Sequence, residues 1–489
     1  MTAVVPARVL RELGRTEGGP EALRLLVHDQ HTRRLLLLRA VLDAAEAAPE
    51  AVCPRRDLRR LRADWALLEA AERAGDSGRS VVRSLLLHPL LGPWAKRCLT
   101  GLTGPARTPE LAWDLAHFSA VAAAAATRAR VPFTVPLTAY DGLLALPTLG
   151  ALRTGSRAPV AVDASLGRTA LTLRRRGAAP VRVYPQADYG AWSTAPAWAP
   201  LHSLTGVTAD SAPVPLDDLD PYRAIQTQPR PARLSEVNTL TDATRKQWLN
   251  AWSGTAELLA LSGPHRTAEA AALLRCLVPL AAPPGAGPVG RDGPAGTDGT
   301  AGTNGPTDGP AGPVGSCSAT RREAFGAVLS TTPATTALFA ATLVHELQHA
   351  KLAALSDLLP LHHADATARY FAPWRPDPRP FDGLWQGAYS HLALADYWQR
   401  LALATHHVPL RDQAWAAHAR CREQVGAALP ALVGSPDLTP DGRRFADAMV
   451  GAYTRLLRNP PPKGQLARAT AYVSTARSLW HQRHGPFRR

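Results

Sequence analysis

One stretch constrains this chain more than any other. From Ala334 to Leu359 it contains neither glycine nor proline, and from Leu338 onward it is apolar on nearly every face. A helix of that composition leaves no polar side for water and must be buried. Pro333 fits a first helical turn behind Thr331 or Thr332 as cap, so the sequence predicts a helix over 334–359. Inside it stands His345-Glu346-Leu347-Gln348-His349. Two imidazoles four residues apart are one turn apart and project from one side of the helix. That spacing grips a single metal ion, and a glutamate beside the first histidine is what zinc peptidases use as general base. In a chain with 16 histidines, random placement gives such a pattern with a probability of roughly 0.015. The bland alternative is a core helix whose histidines hydrogen-bond to neighbours.

A catalytic metal needs a third protein ligand and open positions. Metzincins place glycine three and histidine six residues past the second histidine; here Leu352 and Leu355 stand there, which excludes them. A gluzincin takes a glutamate from the next helix, but the only glutamate after Glu346 is Glu423, far along the chain beside Arg422. His362, His363, Asp365, Asp382, His391 and Asp396 remain, with His406 and His407 further out. His362 and His363 follow Pro360 and would have to fold back over the end of the helix. His391 is better placed, in a helical run where Gly387, Ala388 and Ser390 would let a second helix approach closely. A core role for His391 is the alternative. Three imidazoles suit zinc and also iron(II). Arg375 and Arg379 stand between the two proposed ligand helices, on the proline-stiffened run Pro373–Pro380. An arginine there is able to grip a carboxylate bidentately. Four residues in extended polyproline geometry span about 12 Å, so the two are not expected to hold the same group, and solvated arginines on a rigid connection are the alternative.

The 489 residues carry a formal net charge of +15, which raises the question of nucleic acid. The excess is arginine spread through helices and proline-rich turns, with lysine only at 96, 246, 351 and 463. Without a basic tract, nucleic-acid binding is not expected. A basic surface still attracts an acidic peptide in a salt-sensitive way. Cys53, Cys98, Cys276, Cys317 and Cys421 are odd in number, far apart and free of C-x-x-C, against both a disulfide framework and a cysteine zinc site. There is no signal-peptide core and no uninterrupted apolar run of 18 residues. A soluble, cytoplasmic protein without membrane association is expected.

In chain order, residues 1–130 read as helices, Glu21–Ala48 and Leu58–Ala74 most clearly. His88, just before Pro89, reads as a packing or capping residue. Region 131–235 is β-rich, with runs at Val131–Leu137, Val160–Val162, Ala170–Leu173 and Val181–Tyr184 that predict a small sheet. Asp217–Arg223 reads as a solvated turn or linker. Residues 236–282 read as helical, with Trp248 and Trp252 as core aromatics. Glycine recurs every third residue through most of 283–316. So few triplets cannot hold a triple helix, and a disordered insertion is expected. The rest, 317–489, begins with a strand over Phe325–Ser330 and continues as the metal-binding helical region, with a helix over Phe381–Leu403 and three more over about 411–485. The fold expected is mainly α with a small β-sheet (α+β), its buried HExxH helix packed against a second ligand-bearing helix.

Taken together, His345–Leu355, Tyr370–Pro380 and Gln386–Tyr389 resemble the HExxH-type peptide-modifying proteins of bacterial gene clusters for ribosomally made, modified peptides. Weaker echoes lie at Leu85–Cys98, Asp217–Arg223, Phe325–Leu329 and Leu438–Phe445. The Ala372–Pro380 run is the specific part, since HExxH is shared with many peptidases. The resemblance implies a 2-oxoglutarate-dependent dioxygenase, a peptide β-hydroxylase. Iron(II) would be held by His345, His349 and His391, with 2-oxoglutarate and O2 as cosubstrates. An arginine, Arg375 or Arg379, would pair with the distal carboxylate of 2-oxoglutarate, a precursor peptide would be the substrate, and Glu346 would orient a ligand. The competing expectation is a zinc metallopeptidase with Glu346 as general base. A third is a silent peptide-binding protein.

Overall fold

The computed structural model describes residues 5–75, 80–224, 239–281 and 317–485. The chain opens with helices α1 (Ala7–Gly14), α2 (Pro20–Ala47), α3 (Arg55–Ala74), α4 (Val81–Leu86), α5 (Leu91–Leu102) and α6 (Pro109–Arg128). Thr108 caps α6 by accepting from the Leu111 amide at 3.1 Å, with Pro109 as first residue. The alanines from Ala120 to Ala126 are fully buried and let neighbouring elements approach α6 closely. Helix α2 is the beam of the molecule. Leu23 and Leu26 at its start enter one hydrophobic core, whereas Leu38, Val41 and Leu42 enter a second.

Strands β1 (Phe133–Ala139), β2 (Leu143–Leu146), β3 (Gly150–Arg153), β4 (Val160–Leu166), β5 (Leu171–Arg174), β6 (Val181–Pro185), β7 (Ala191–Trp192), β8 (Trp198–Pro200), β9 (His202–Leu204) and β10 (Val214–Leu216) follow. The four runs expected to form a small sheet, β1, β4, β5 and β6, do pair in one sheet, and the shorter strands add to it or build others. β1-β4-β5-β6-β7 form an antiparallel sheet, β2-β3-β8 a separate one, and β9 and β10 join a third. Gly150, at φ +143°, permits the close approach of β3 to β8, since a Cβ there would lie 2.4 Å from the Ala199 carbonyl oxygen.

Helices α7 (Asp242–Trp252), α8 (Thr255–Leu261) and α9 (Pro264–Leu273) lead to β11 (Cys276–Leu280), then β12 (Ser318–Thr320) and β13 (Ala327–Thr331). Residues 276–280 are therefore a strand where a helix was expected. The third sheet runs β12-β13-β11-β10-β9, with β11 parallel to both β10 and β13. Helices α10 (Thr336–Leu358), α11 (Phe381–Ala404), α12 (Val408–Val433), α13 (Pro440–Leu456) and α14 (Lys463–His484) complete the chain. The fold is mainly α with small sheets. No helix of the described residues is long and apolar enough to cross a membrane. The glycine-rich stretch 283–316 lies outside the described residues.

Two segments differ from what their sequence suggests. Helix α10 is capped by Thr335, which accepts from the Leu338 amide at 3.2 Å, because β13 runs on to Thr331 and Pro333 lies in the link. The Asp217–Arg223 segment is not solvated. Asp217, Asp218 and Asp220 are all buried, and their carboxylates accept backbone amides of the same loop or of Leu240. Trp248 and Trp252 are core aromatics, set against Phe339 of α10 at 5.3 and 5.9 Å.

Candidate metal centre

Helices α10 and α11 lie side by side and bring the three predicted histidines together. The ring centroids of His345 and His349 are 4.6 Å apart, and those of His345 and His391 5.7 Å. His345 is fully buried, His391 is buried, and His349 is half-buried. A cavity of about 20 Å³ beside His349, lined by Thr320, Phe325, Ala350 and Ala353 among others, has room for about one water. Of the trio, His349 lines this cavity and His345 and His391 do not. Two larger hollows, about 330 and 500 Å³, are lined by other residues, including Asp114 and Tyr222 in one and Trp198 and Asp242 in the other.

The Nδ1 atoms decide what the trio can do. His345 Nδ1 is 3.1 Å from Glu346 Oε1, His349 Nδ1 is 3.1 Å from Gln386 Oε1, and His391 Nδ1 is 2.8 Å from the Gly387 carbonyl oxygen. All three partners are acceptors, so each ring carries its proton on Nδ1 and its lone pair on Nε2. Metal-binding histidines are oriented in this way, by an oxygen on the far nitrogen. Burial, reinforced by His345 and His349 and opposed by the Gly387 hydrogen bond, pushes His391 down to about 3. It is neutral at physiological pH, as a ligand must be.

Glu346 is oriented away from the work of a general base. Its Oε1 accepts from Ser318 Oγ of β12 at 2.7 Å and meets the Nδ1 edge of His345, while Oε2 has no hydrogen-bond partner. Burial raises its pKa, but His345, His349 and Ser318 together outweigh burial and leave it lowered. The carboxylate stays ionised and orients the ring whose outer nitrogen it touches.

The loop before α11 seals the other side. Trp374 stacks on His391 with centroids 4.5 Å apart and planes at 19°. Its indole sits where a side chain at residue 387 would be, since a Cβ on Gly387 would fall 2.3 Å from Cζ2. The smallness of residue 387 thus admits a tryptophan rather than a helix. The arginines are largely buried, with side chains 15% (Arg375) and 11% (Arg379) exposed. Their segment is not extended. Arg375 N donates to Ala372 O at 3.0 Å, and Tyr370 pairs with Arg379 as an antiparallel bridge. Both arginines consequently meet one carboxylate, Asp377, at 3.0 Å from Arg375 Nε and 3.9 Å from Arg379 Nη1.

Three of the other ligand candidates are occupied elsewhere. His362 packs on Phe381 and Trp385 and faces Asp382, Asp365 pairs with Arg369, and Asp396 with Arg266 and Arg400. Three supporting residues had no assigned role in the sequence: Ser318, Gln386 and Trp374. The last two stand in motifs singled out there, whereas nothing local to Ser318 marks it. The nitrogens of the trio are more widely spread than a closed site. Among the described residues, the group of three His, Cys, Asp or Glu whose donor atoms all lie within 4.8 Å of one another is His88, Asp217 and Asp220. No protein-family model matches the chain, and no curated protein matches it.

Proposed function

We propose that this protein is an iron(II)- and 2-oxoglutarate-dependent oxygenase that hydroxylates a side-chain β-carbon of a ribosomally made precursor peptide. One observation carries the proposal: three imidazoles on two adjacent helices, each with Nδ1 on an oxygen acceptor and hence Nε2 as the donor atom. The nitrogen donor set fits iron(II), which His345, His349 and His391 would hold. When bound, iron(II) with 2-oxoglutarate and O2 supplies the oxidation, in which the cosubstrate goes to succinate and carbon dioxide and one oxygen atom enters the peptide C–H bond. Glu346, Gln386 and the Gly387 carbonyl hold the ligand tautomers. Trp374 covers one face of His391 and excludes water there. Arg375 and Arg379, brought together by Asp377, offer guanidinium groups to the distal carboxylate of the cosubstrate. The net charge of +15 favours an acidic peptide partner. The five cysteines, none in a disulfide, fit a reducing cytoplasm.

A zinc peptidase keeps the support of the HELQH spacing. Against it stands Glu346, which lies on the Nδ1 edge of His345 and is held by Ser318. Purified protein with iron(II), 2-oxoglutarate and the peptide should give a product heavier by one oxygen, together with succinate. Peptide cleavage that requires zinc, ignores 2-oxoglutarate and vanishes in Glu346→Gln would replace the proposal.

A further inference from the structure

Apart from the HELQH helix, a second set of metal-ligating side chains is assembled from three places in the chain. His88 occupies the turn between α4 and α5, Asp217 directly follows β10, and Asp220 precedes the short 3-10 turn Pro221–Arg223. Each offers a ligand atom within 4.8 Å of the other two, and all three residues are 3–4% exposed. Asp217 Oδ1 accepts the amides of Leu219 and Asp220 at 3.2 and 2.9 Å, and Asp220 Oδ1 accepts that of Tyr222 at 2.7 Å. Loop building therefore uses one oxygen of each carboxylate.

Three features set this cluster apart from a satisfied polar core. First, neither ring nitrogen of buried His88 has a hydrogen-bond partner. A buried imidazole without any partner is costly unless something else binds it. Second, His88 Nε2 stands 3.6 Å from Asp217 Oδ2. That is too long for a hydrogen bond, but two donors about 2.1 Å from one tetrahedral cation are separated by roughly 3.4 Å. Third, among the described residues the two carboxylates have no lysine or arginine as ion-pair partner, although Arg223 Nη1 donates to the Asp220 carbonyl at 2.7 Å. Arg34, beside His88, spends its guanidinium on the carbonyls of His88, Pro89 and Glu323 at 2.7, 3.1 and 3.0 Å.

We infer that His88, Asp217 and Asp220 bind a divalent cation that ties the α4–α5 turn to the end of β10. One imidazole with two carboxylates suits a borderline first-row ion, zinc, manganese or iron(II), rather than calcium or magnesium, which require more oxygen ligands. The cation is structural in position. It links the N-terminal helices to the sheet whose β12 carries Ser318, the residue that holds Glu346.

The full chain is stripped with chelator, dialysed against zinc or manganese, and its bound metal counted by mass spectrometry. His88→Gln and Asp220→Asn should each bind one equivalent less than wild type, and added metal should raise the melting temperature of wild type but raise it less in these variants. His345→Gln should retain the His88 equivalent, so failure of the HELQH centre and failure of this one are distinguishable. Because a variant could misfold, wild-type crystals soaked in manganese provide the second measurement, with an anomalous peak expected between His88 and the two aspartates. Absence of that peak at saturating metal, or wild-type stoichiometry in both folded variants, overturns the inference.

Discussion

Gly387→Ala isolates the architecture of the candidate centre in a single methyl group. In a helix interior, alanine favours folding over glycine by about 1 kcal/mol, so propensity alone predicts a stabler protein. The structure predicts the reverse. The new Cβ would lie 2.3, 2.5 and 2.7 Å from Cζ2, Cε2 and Nε1 of Trp374. Carbon contacts are comfortable near 3.5 Å, so the half-buried indole must retreat by about 1 Å. Overpacking of that kind costs about 1–3 kcal/mol, which cancels or exceeds the helical gain. The retreating ring is the one stacked on His391, whose Nδ1 accepts its orientation from residue 387 itself. Loss of such support lowers metal affinity by about 10–100-fold. The assay is a chelator-competed iron(II) titration beside a thermal melt, with Gly387→Ala/Trp374→Ala as the control in which the clash is gone. A more stable Gly387→Ala protein with unchanged affinity would refute the reasoning.

Other outcomes follow from the same structure. Ser318→Ala removes the hydroxyl that holds Glu346 and should lower metal affinity about 10-fold, measured by the same titration. Lys351→Met leaves the fully buried Glu269 without its 2.6 Å partner, although Arg266 remains at 3.2 Å. The expected loss is about 3–5 kcal/mol in denaturant unfolding, and a stability change below about 1 kcal/mol would count against a paired network. Asp64 is raised from 3.8 to about 6, by burial against the opposing Ser119 hydrogen bond and Arg60. Its folded state binds more protons than the unfolded state between those values, so stability falls as pH rises through the window, by up to about 3 kcal/mol. Asp64→Asn should flatten the slope of melting temperature against pH between 4 and 6.

The residues differ in how far their surroundings were legible in the sequence. His345 and His349 were readable because helix geometry alone places them on one face. His391 was found through its small neighbours, yet for a different reason than expected, since Gly387 makes room for an indole rather than a backbone. Strand β11, Cys-Leu-Val-Pro-Leu, is buried on every residue. It lacks the alternation that marks a half-exposed strand and reads like the end of the preceding helix. The Asp217–Arg223 loop looked solvated because charge density is a local property, whereas its burial against His88 depends on a residue far away in sequence. The prolines of the arginine segment favour an extended run, and the Tyr370–Arg379 bridge that folds it back is a pairing the run itself does not announce.

The central claim is that three imidazoles share one ion. Crystals of the protein grown anaerobically with iron(II) and measured at the iron absorption edge test it most directly. An anomalous peak is expected about 2.1 Å from Nε2 of His345, His349 and His391, with each Nδ1 still on its oxygen partner. Rings left at their present separations with no peak between them, at saturating iron, would contradict it.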